Sequence, residues 1–235
     1  IFAYSSGSWS QEAKIQASDA QVSDEFGIAV SMSGDGTKVL VGARYEDPAP
    51  TASGSNAGAA YIFALSGGSW SQEAKIMASD PEANDLFGNS VSMNSDGTRV
   101  IVGAHYEDTG GTNAGAAYIF AYSSGSWDTG TKIQASDKQV NDRFGFSVSM
   151  SSDGTKAVVG AYLEDTGATD AGAAYIFALS GGSWSQEAKI QASDLEASDV
   201  FGYSVSMNSD GTKAVVGARF SGDTNAGAAY IFAYS

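Results

Sequence analysis

Residues 87–121 read FGNSVSMNSDGTRVIVGAHYEDTGGTNAGAAYIFA. Three short runs in this stretch are rich in β-branched, aromatic and small residues. They are FGNSVSM (Phe87 to Met93), RVIVGA (Arg99 to Ala104) and AGAAYIFA (Ala114 to Ala121), with Gly, Asp, Asn and Ser filling the gaps. Such runs read as strands and such gaps as turns. Asp96-Gly97 supplies the positive φ that a tight hairpin between the first two runs needs. A fourth run, SWSQEAKIMA (Ser69 to Ala78), stands just upstream. We label the four strands A, B, C and D, with Ser69 to Ala78 as strand D of the preceding unit.

The same order occurs four times. Its landmarks are the tryptophans (Trp9, Trp70, Trp127, Trp184), the Phe-Gly pairs (Phe26, Phe87, Phe144, Phe201), the Val-Gly-Ala steps (Gly42, Gly103, Gly160, Gly217) and the AGAAYIF tyrosines (Tyr61, Tyr118, Tyr175, Tyr230). Successive tryptophans lie 61, 57 and 57 residues apart. Asp-Gly recurs in every A–B connection, at Asp35, Asp96, Asp153 and Asp210. The length varies only in the loop before AGAAYIF, where the first copy carries four extra residues (DPAPTASGSN) and the fourth is two shorter; this marks a surface loop. No segment shows a capped helical period.

Alternation predicts how the sheets pack. In strand A, Phe87, Val91 and Met93 face one way and Gly88, Ser90 and Ser92 the other. A large face set against a small one lets neighbouring sheets nest around an axis. Strand D alternates Trp70, Ala74 and Ile76 with Ser71, Glu73 and Lys75, the pattern of a charged outer edge. The expected fold is all-β: a β-propeller of four four-stranded antiparallel blades, with repeat units near 20–80, 81–137, 138–194 and 195–235. The last unit lacks strand D, and SWSQEAKIQAS (Ser8 to Ser18) would supply it and close the ring. IFAYS stands at both 1–5 and 231–235, and only one copy can fill the shared place. This duplication suggests a processed product or an excerpt, and a seven-bladed parent is the rival reading.

Composition narrows the partners. The chain has 235 residues, 43% hydrophobic, no cysteine and a net charge of −15. That is enough apolar content for a core, and it excludes disulfides, thiolate metal sites and cysteine nucleophiles. The acidic balance disfavours nucleic acid and anionic membranes. No apolar run approaches the ~20 residues of a membrane span, which argues against direct membrane insertion. In the expected topology the D–A and B–C loops share one face. They hold 19 of the 27 acids, Asp223 among them, against Arg44, Lys138, Arg143 and Arg219, so this face carries the whole net charge. Either it is a solvated face that keeps a repetitive β protein soluble, or it binds Ca²⁺ or a basic partner. The metal candidates are Glu107, Asp108, Glu164 and Asp165 beside turn glycines, within reach of Asp85 and Asp142. Their spacing matches no EF-hand.

The shared motif "ASD…DxFGxSVSM…VVGA…GAAYIF" resembles the FG-GAP repeat, the blade of integrin α-subunit propellers and related extracellular proteins. Four in-register copies carry the resemblance over nearly the whole chain. Arg44, His105, Tyr162 and Arg219 stand where the family motif has proline. The A–B loops (SGDGTK, NSDGTR, SSDGTK, NSDGTK) lack the DxDxDGxxD cluster that binds Ca²⁺ in many integrin blades. One carboxylate cannot supply the six to eight oxygens Ca²⁺ takes. The resemblance therefore implies the fold and an adhesion-like role outside the cell or at its surface, without those calcium sites.

Arg44, His105, Tyr162 and Arg219 are also the candidate ligand ring at the mouth of the channel, with Tyr45 and Tyr106 adding apolar contact. Such a ring suits a sugar or a peptide side chain. His105 is the single histidine, in a slot that holds Arg or Tyr elsewhere, which points to a variable surface. Carboxylate pairs recur in nearly every unit, whereas an active site breaks a repeat. The reading is therefore a non-catalytic adhesion, interaction or structural scaffold module with a protein or glycan partner, set within a larger repetitive chain or assembly. A lectin-like multivalent binder is the alternative.

Overall fold

The computed structural model describes residues 1–47, 55–222 and 224–234. The chain is all-β. Blade 1 is β3 (Val30–Met32), β4 (Lys38–Ala43), β5 (Ala59–Ser66) and β6 (Ser69–Ile76). Blade 2 is β7 (Ser90–Met93), β8 (Arg99–Ala104), β9 (Ala116–Ser123) and a divided outer strand, β10 (Ser126–Trp127) and β11 (Thr131–Ile133). Blade 3 is β12 (Phe144–Met150), β13 (Lys156–Ala161), β14 (Ala173–Ser180) and β15 (Ser183–Ile190). Blade 4 has three strands, β16 (Phe201–Met207), β17 (Lys213–Ala218) and β18 (Ala228–Ala233). The N-terminus forms a separate hairpin, β1 (Phe2–Ser5) with β2 (Ser8–Gln11). Each blade is an antiparallel meander in chain order.

The A–B turns form as their sequence demands. The central glycines have φ between 66° and 71°, and the preceding aspartate accepts the backbone N–H of the threonine two residues on, at 2.9 to 3.0 Å. Strand D of blade 2 breaks because its sequence is SWDTGTK. Asp128 Oδ1 takes the amides of Ala121 and Gly130 at 3.1 and 3.0 Å, and Gly130 turns at φ 79°.

Successive blades nest through their small faces. A Cβ on Gly160 would lie 2.0 Å from the Gly202 carbonyl oxygen, so only glycine permits this approach. The Phe144 and Phe201 amides donate to Ala114 and Ala171 of the preceding blade at 3.0 and 2.8 Å. Ser92 Oγ accepts the Met150 amide, and Ser149 Oγ accepts that of Met207, both at 3.1 Å. The hydrophobic clusters lie between blades: one joins Leu40, Ile62 and Ile76 to Phe87, Met93 and Tyr118.

Among the described residues β2 pairs β1 (Tyr4 opposite Trp9, Phe2 opposite Gln11) and β18 pairs β17, so the expected closing pairing is not seen there. Most of the variable loop DPAPTASGSN, together with Asp223 and Ser235, lies outside the described residues.

Candidate functional site

Each D–A loop meets the B–C loop of the blade it enters. The amides of Tyr45, Tyr106, Leu163 and Phe220 donate to the carbonyls of Asp24, Asp85, Asp142 and Asp199 at 3.2 to 3.4 Å. The two loop sets therefore do share one face. Much of its acid is internal, however. Asp24, Glu46, Asp85, Glu107, Asp142, Glu164 and Asp199 are buried. The solvated-face reading is corrected for these seven.

Their burial has a repeated cause. In blade 2, Lys132 Nζ donates to Asp80 Oδ2 at 2.8 Å and Glu107 Oε1 at 2.5 Å, and Tyr118 Oη donates to Asp80 Oδ1 at 2.7 Å. Gln134 Nε2 donates to the other Glu107 oxygen at 2.9 Å. Blade 3 repeats this with Lys189, Asp137, Glu164, Tyr175 and Gln191. Blade 1 repeats the lysine's part, with Lys75 bonded to Asp19 and Glu46 and Tyr61 bonded to Asp19. Burial pushes the carboxyls of Asp19, Asp80 and Asp137 up, but the lysine and tyrosine hydrogen bonds outweigh it and hold them below the usual carboxylate range. Asp85 and Asp142 differ. Burial pushes both up to about 7, with only a backbone hydrogen bond opposing, and Glu107 or Glu164 nearby adds to the rise. Asp142 Oδ1 has no partner, which suits a protonated carboxyl.

All six metal candidates therefore have protein partners. Glu107 and Glu164 face lysine, Asp108 and Asp165 accept the amides of Asn113 and Asp170, and Asp85 and Asp142 accept those of Glu82 and Gln139. Among the described residues, no three His, Asp or Glu come together in an arrangement that could hold a metal ion.

The ligand candidates form a different structure. Arg44 Nη1 donates to Asn89 Oδ1 at 3.1 Å, and Asn89 Nδ2 reaches the Phe146 carbonyl at 3.4 Å. The His105 ring packs edge-on against Tyr106 and Phe146, with centroids 4.5 and 5.3 Å apart. Phe146 meets Tyr162 at 4.4 Å and Tyr203 at 4.9 Å. Arg219 Nη1 donates to Tyr203 Oη at 3.0 Å. The result is one row of side chains crossing all four blades. Tyr45 joins it under the Arg44 guanidinium, 4.8 Å from it, and Tyr106 under that of Arg143, at 3.7 Å.

His105 is buried, contrary to the expectation of a variable surface residue. Burial lowers its pKa to about 3, and Arg143 and Arg44 add repulsion, so the ring is neutral at pH 7. Its Nδ1 and the Nε and Nη1 of Arg143 have no partner. The sequence reading missed three members of this row, Asn89, Phe146 and Tyr203. The available signal was that the residue after Phe-Gly is Ile28, Asn89, Phe146 or Tyr203, differing in every copy as the residue after Gly-Ala nearly does.

No curated protein matches the chain in sequence. The periplasmic gluconolactonase PpgL of Pseudomonas aeruginosa is similar in structure, with a TM-score of 0.58 at 13% identity, over 99% of this chain and 59% of that one. A TolB from Agrobacterium tumefaciens is also similar, with a TM-score of 0.52 at 13% identity, over 89% of this chain and 58% of that one. The chain thus spans under two thirds of either neighbour's length, and at this identity the likeness establishes the propeller fold alone. It also corrects one expectation. Catalysis was set aside because carboxylate pairs recur in nearly every unit, whereas an active site breaks a repeat, but a gluconolactonase shares the fold, so the propeller architecture gives no ground for excluding an enzyme. No helix of the described residues is long and apolar enough to cross a membrane. The FG-GAP repeat matches four times, at residues 9–63, 70–120, 127–177 and 184–232, and the chain belongs to the FG-GAP repeat family.

Proposed function

We propose that the chain is an interaction module of an extracellular or cell-surface assembly, in which the blades are the scaffold and the rim row touches the partner. The observation that carries this reading is where the copies differ. Strand sequences repeat almost letter for letter, because each blade offers the next the same environment. The residues after Phe-Gly differ in every copy and those after Gly-Ala are Arg, His, Tyr and Arg, yet they lie side by side from Arg44 to Arg219. Packing alone gives no reason for that variation. Guanidinium groups at both ends and aromatic rings between them suit an extended partner that carries carboxylates and apolar faces. A glycan partner is the second reading, favoured by Phe146, Tyr162 and Tyr203 lying within 6 Å of one another.

The test is a pair of arrays, one of acidic and neutral oligosaccharides and one of acidic peptides. Both are probed with the wild type and with a Tyr162→Ala/Tyr203→Ala/Arg219→Ala variant. Binding by the wild type that is lost in a folded variant is expected. No binding on either array, or binding that survives the triple change, overturns the reading.

A further inference from the structure

We propose that Arg143 is the carboxylate contact of the rim row, and that it receives the acidic side chain of an extended peptide partner. The inference rests on the reading of that row as a partner surface and adds where on it the partner's charge is read.

Arg143 breaks the repeat at a place where the backbone does not. It precedes a Phe-Gly pair, and the matching residues in the other blades are Glu25, Leu86 and Val200. All four hold the same left-handed turn, with φ between 52° and 62°. Leu86 and Val200 are buried apolar residues, so the fold does not need a charge in this turn. Glu25 is exposed and pairs with Arg44 at 2.8 Å. Arg143 instead puts a guanidinium into the turn at the step between blades 2 and 3.

Withdrawing a charge from water is costly unless a counter-charge or a full set of hydrogen bonds offsets it. Among the described residues neither does so here. The Arg143 Nε and Nη1 are closed off from solvent without a partner, which leaves Nη2 as the nitrogen that reaches the surface. The guanidinium carbon lies 3.7 Å from the centre of the Tyr106 ring. Burial pushes the Tyr162 hydroxyl above its ordinary pKa and the Arg143 charge pulls it back, so these two groups are also near each other. On the other side of Tyr106 stands His105, 4.5 Å away between ring centroids and only 4% exposed, and its Nδ1 has no partner either.

The other arginines of the row differ. Arg44 is engaged through Nε with Glu25 and through Nη1 with Asn89. Arg219 donates to the Tyr203 hydroxyl. The acids of the neighbouring loops are committed elsewhere. Glu107 and Glu164 pair with lysines, and Asp108, Asp165 and Asp142 accept backbone amides.

The chemistry of the occupant follows from this setting. A guanidinium with unanswered N–H groups is matched by an anion, and best by a planar carboxylate. Two of its nitrogens are screened from water, so attraction to an anion at Nη2 is weakened less than at a fully solvated arginine. The acidic loop face repels free anions over a Debye length of about 8 Å at physiological salt. A carboxylate therefore needs a carrier that gains contact of its own, and the rings of Tyr106, Phe146 and Tyr162 offer that contact. An acidic residue flanked by aromatic side chains meets both requirements.

His105 is the single histidine of the chain, so its imidazole NMR signals report on the site directly. The probes are acetyl-Phe-Glu-Phe-amide and its neutral counterpart acetyl-Phe-Gln-Phe-amide, each titrated into the full chain at pH 7 and physiological salt. The glutamate peptide is expected to shift the His105 signals saturably and to bind roughly tenfold more tightly than the glutamine peptide. Arg143→Leu, which copies the side chain of Leu86 in the same turn, is expected to remove that preference. It is also expected to melt no lower than the wild type, because a desolvated charge is lost. Equal affinity for the two peptides in the wild type overturns the proposal and leaves the rim row standing as a partner surface. No shift with either peptide overturns it too, while the arrays decide the rim row separately. A glutamate preference that survives Arg143→Leu overturns it as well. So does a variant that unfolds or melts lower, since Arg143 is then a structural prop on Tyr106.

Discussion

The hexapeptide KAVVGA occurs twice, at 156–161 in blade 3 and at 213–218 in blade 4. In blade 3 its last five residues are buried; in blade 4 burial alternates, and Val215 is 38% exposed where Val158 is fully covered. The strand itself is unchanged. Both copies pair on both sides with AAYIFA and FGxSVSM partners in the same register. The difference is the following blade, which the described residues include for the first copy and not for the second. Hydrogen bonding in this fold therefore belongs to the blade, and core burial belongs to the step between blades.

The largest test of that comparison uses another repeated string, SWSQEAK, which stands at 8–14, 69–75 and 183–189. Lys189→Met strands Glu164, which is fully buried, and is expected to cost about 3–5 kcal/mol by denaturant unfolding. Lys14→Met, in the same letters without an ion pair, is expected to change stability by less than about 0.5 kcal/mol. If the two cost the same, burial between blades is not the deciding term.

Gly160→Ala is expected to cost about 3 kcal/mol or more, because the new methyl group meets the Gly202 backbone. Gly217→Ala meets only the Ser204 Oγ, a side chain free to turn, and is expected to cost less than about 1 kcal/mol. Thermal melts of the pair read the difference directly.

A smaller contrast lies in the tyrosines. Tyr175→Phe removes a buried hydrogen bond to Asp137 and is expected to cost about 1–2 kcal/mol, whereas Tyr230→Phe, at the open edge, is expected to cost well under 1 kcal/mol.

A separate contrast is in pH dependence. Asp85 and Asp142 have folded pKa values of about 7, above the ordinary aspartate value of 3.8, so between those limits the folded chain binds more protons than the unfolded one. Their contribution favours folding at low pH and is lost as pH rises toward 7. Asp19, Asp80 and Asp137 act in the opposite sense below about pH 4, since their pKa values are lowered. Asp85→Asn/Asp142→Asn is therefore expected to raise the melting temperature at pH 7 relative to pH 5. An unchanged pH profile would remove the assignment.

Much of the blade was legible in the letters. The predicted B strand Arg99 to Ala104 is β8 itself, and the Asp-Gly turns form at each predicted place. These features are local: alternation and turn chemistry act within a few residues. The divided strand D of blade 2 was also legible in principle, since Asp128 and Gly130 interrupt it. The rim row was legible in part. The slot after Gly-Ala drew attention, while the slot after Phe-Gly looked like strand interior; only inter-blade packing brings Asn89 beside Arg44 and Phe146 beside His105. The acids misled because charge alone reads as surface. Lys75, Lys132 and Lys189 come from strands at least 25 residues away from the buried glutamates they pair with.

The sequence by itself determined the repeat, the four-strand blade, its turns and its small-against-large faces, because these follow from residue period and backbone preference over short distances. Tertiary structure alone decided which copies of identical strings are buried, which acids become internal partners of lysine, and that β2 pairs β1 among the described residues. Identical letters carry identical local preferences, so only the neighbour across the blade step can make them differ.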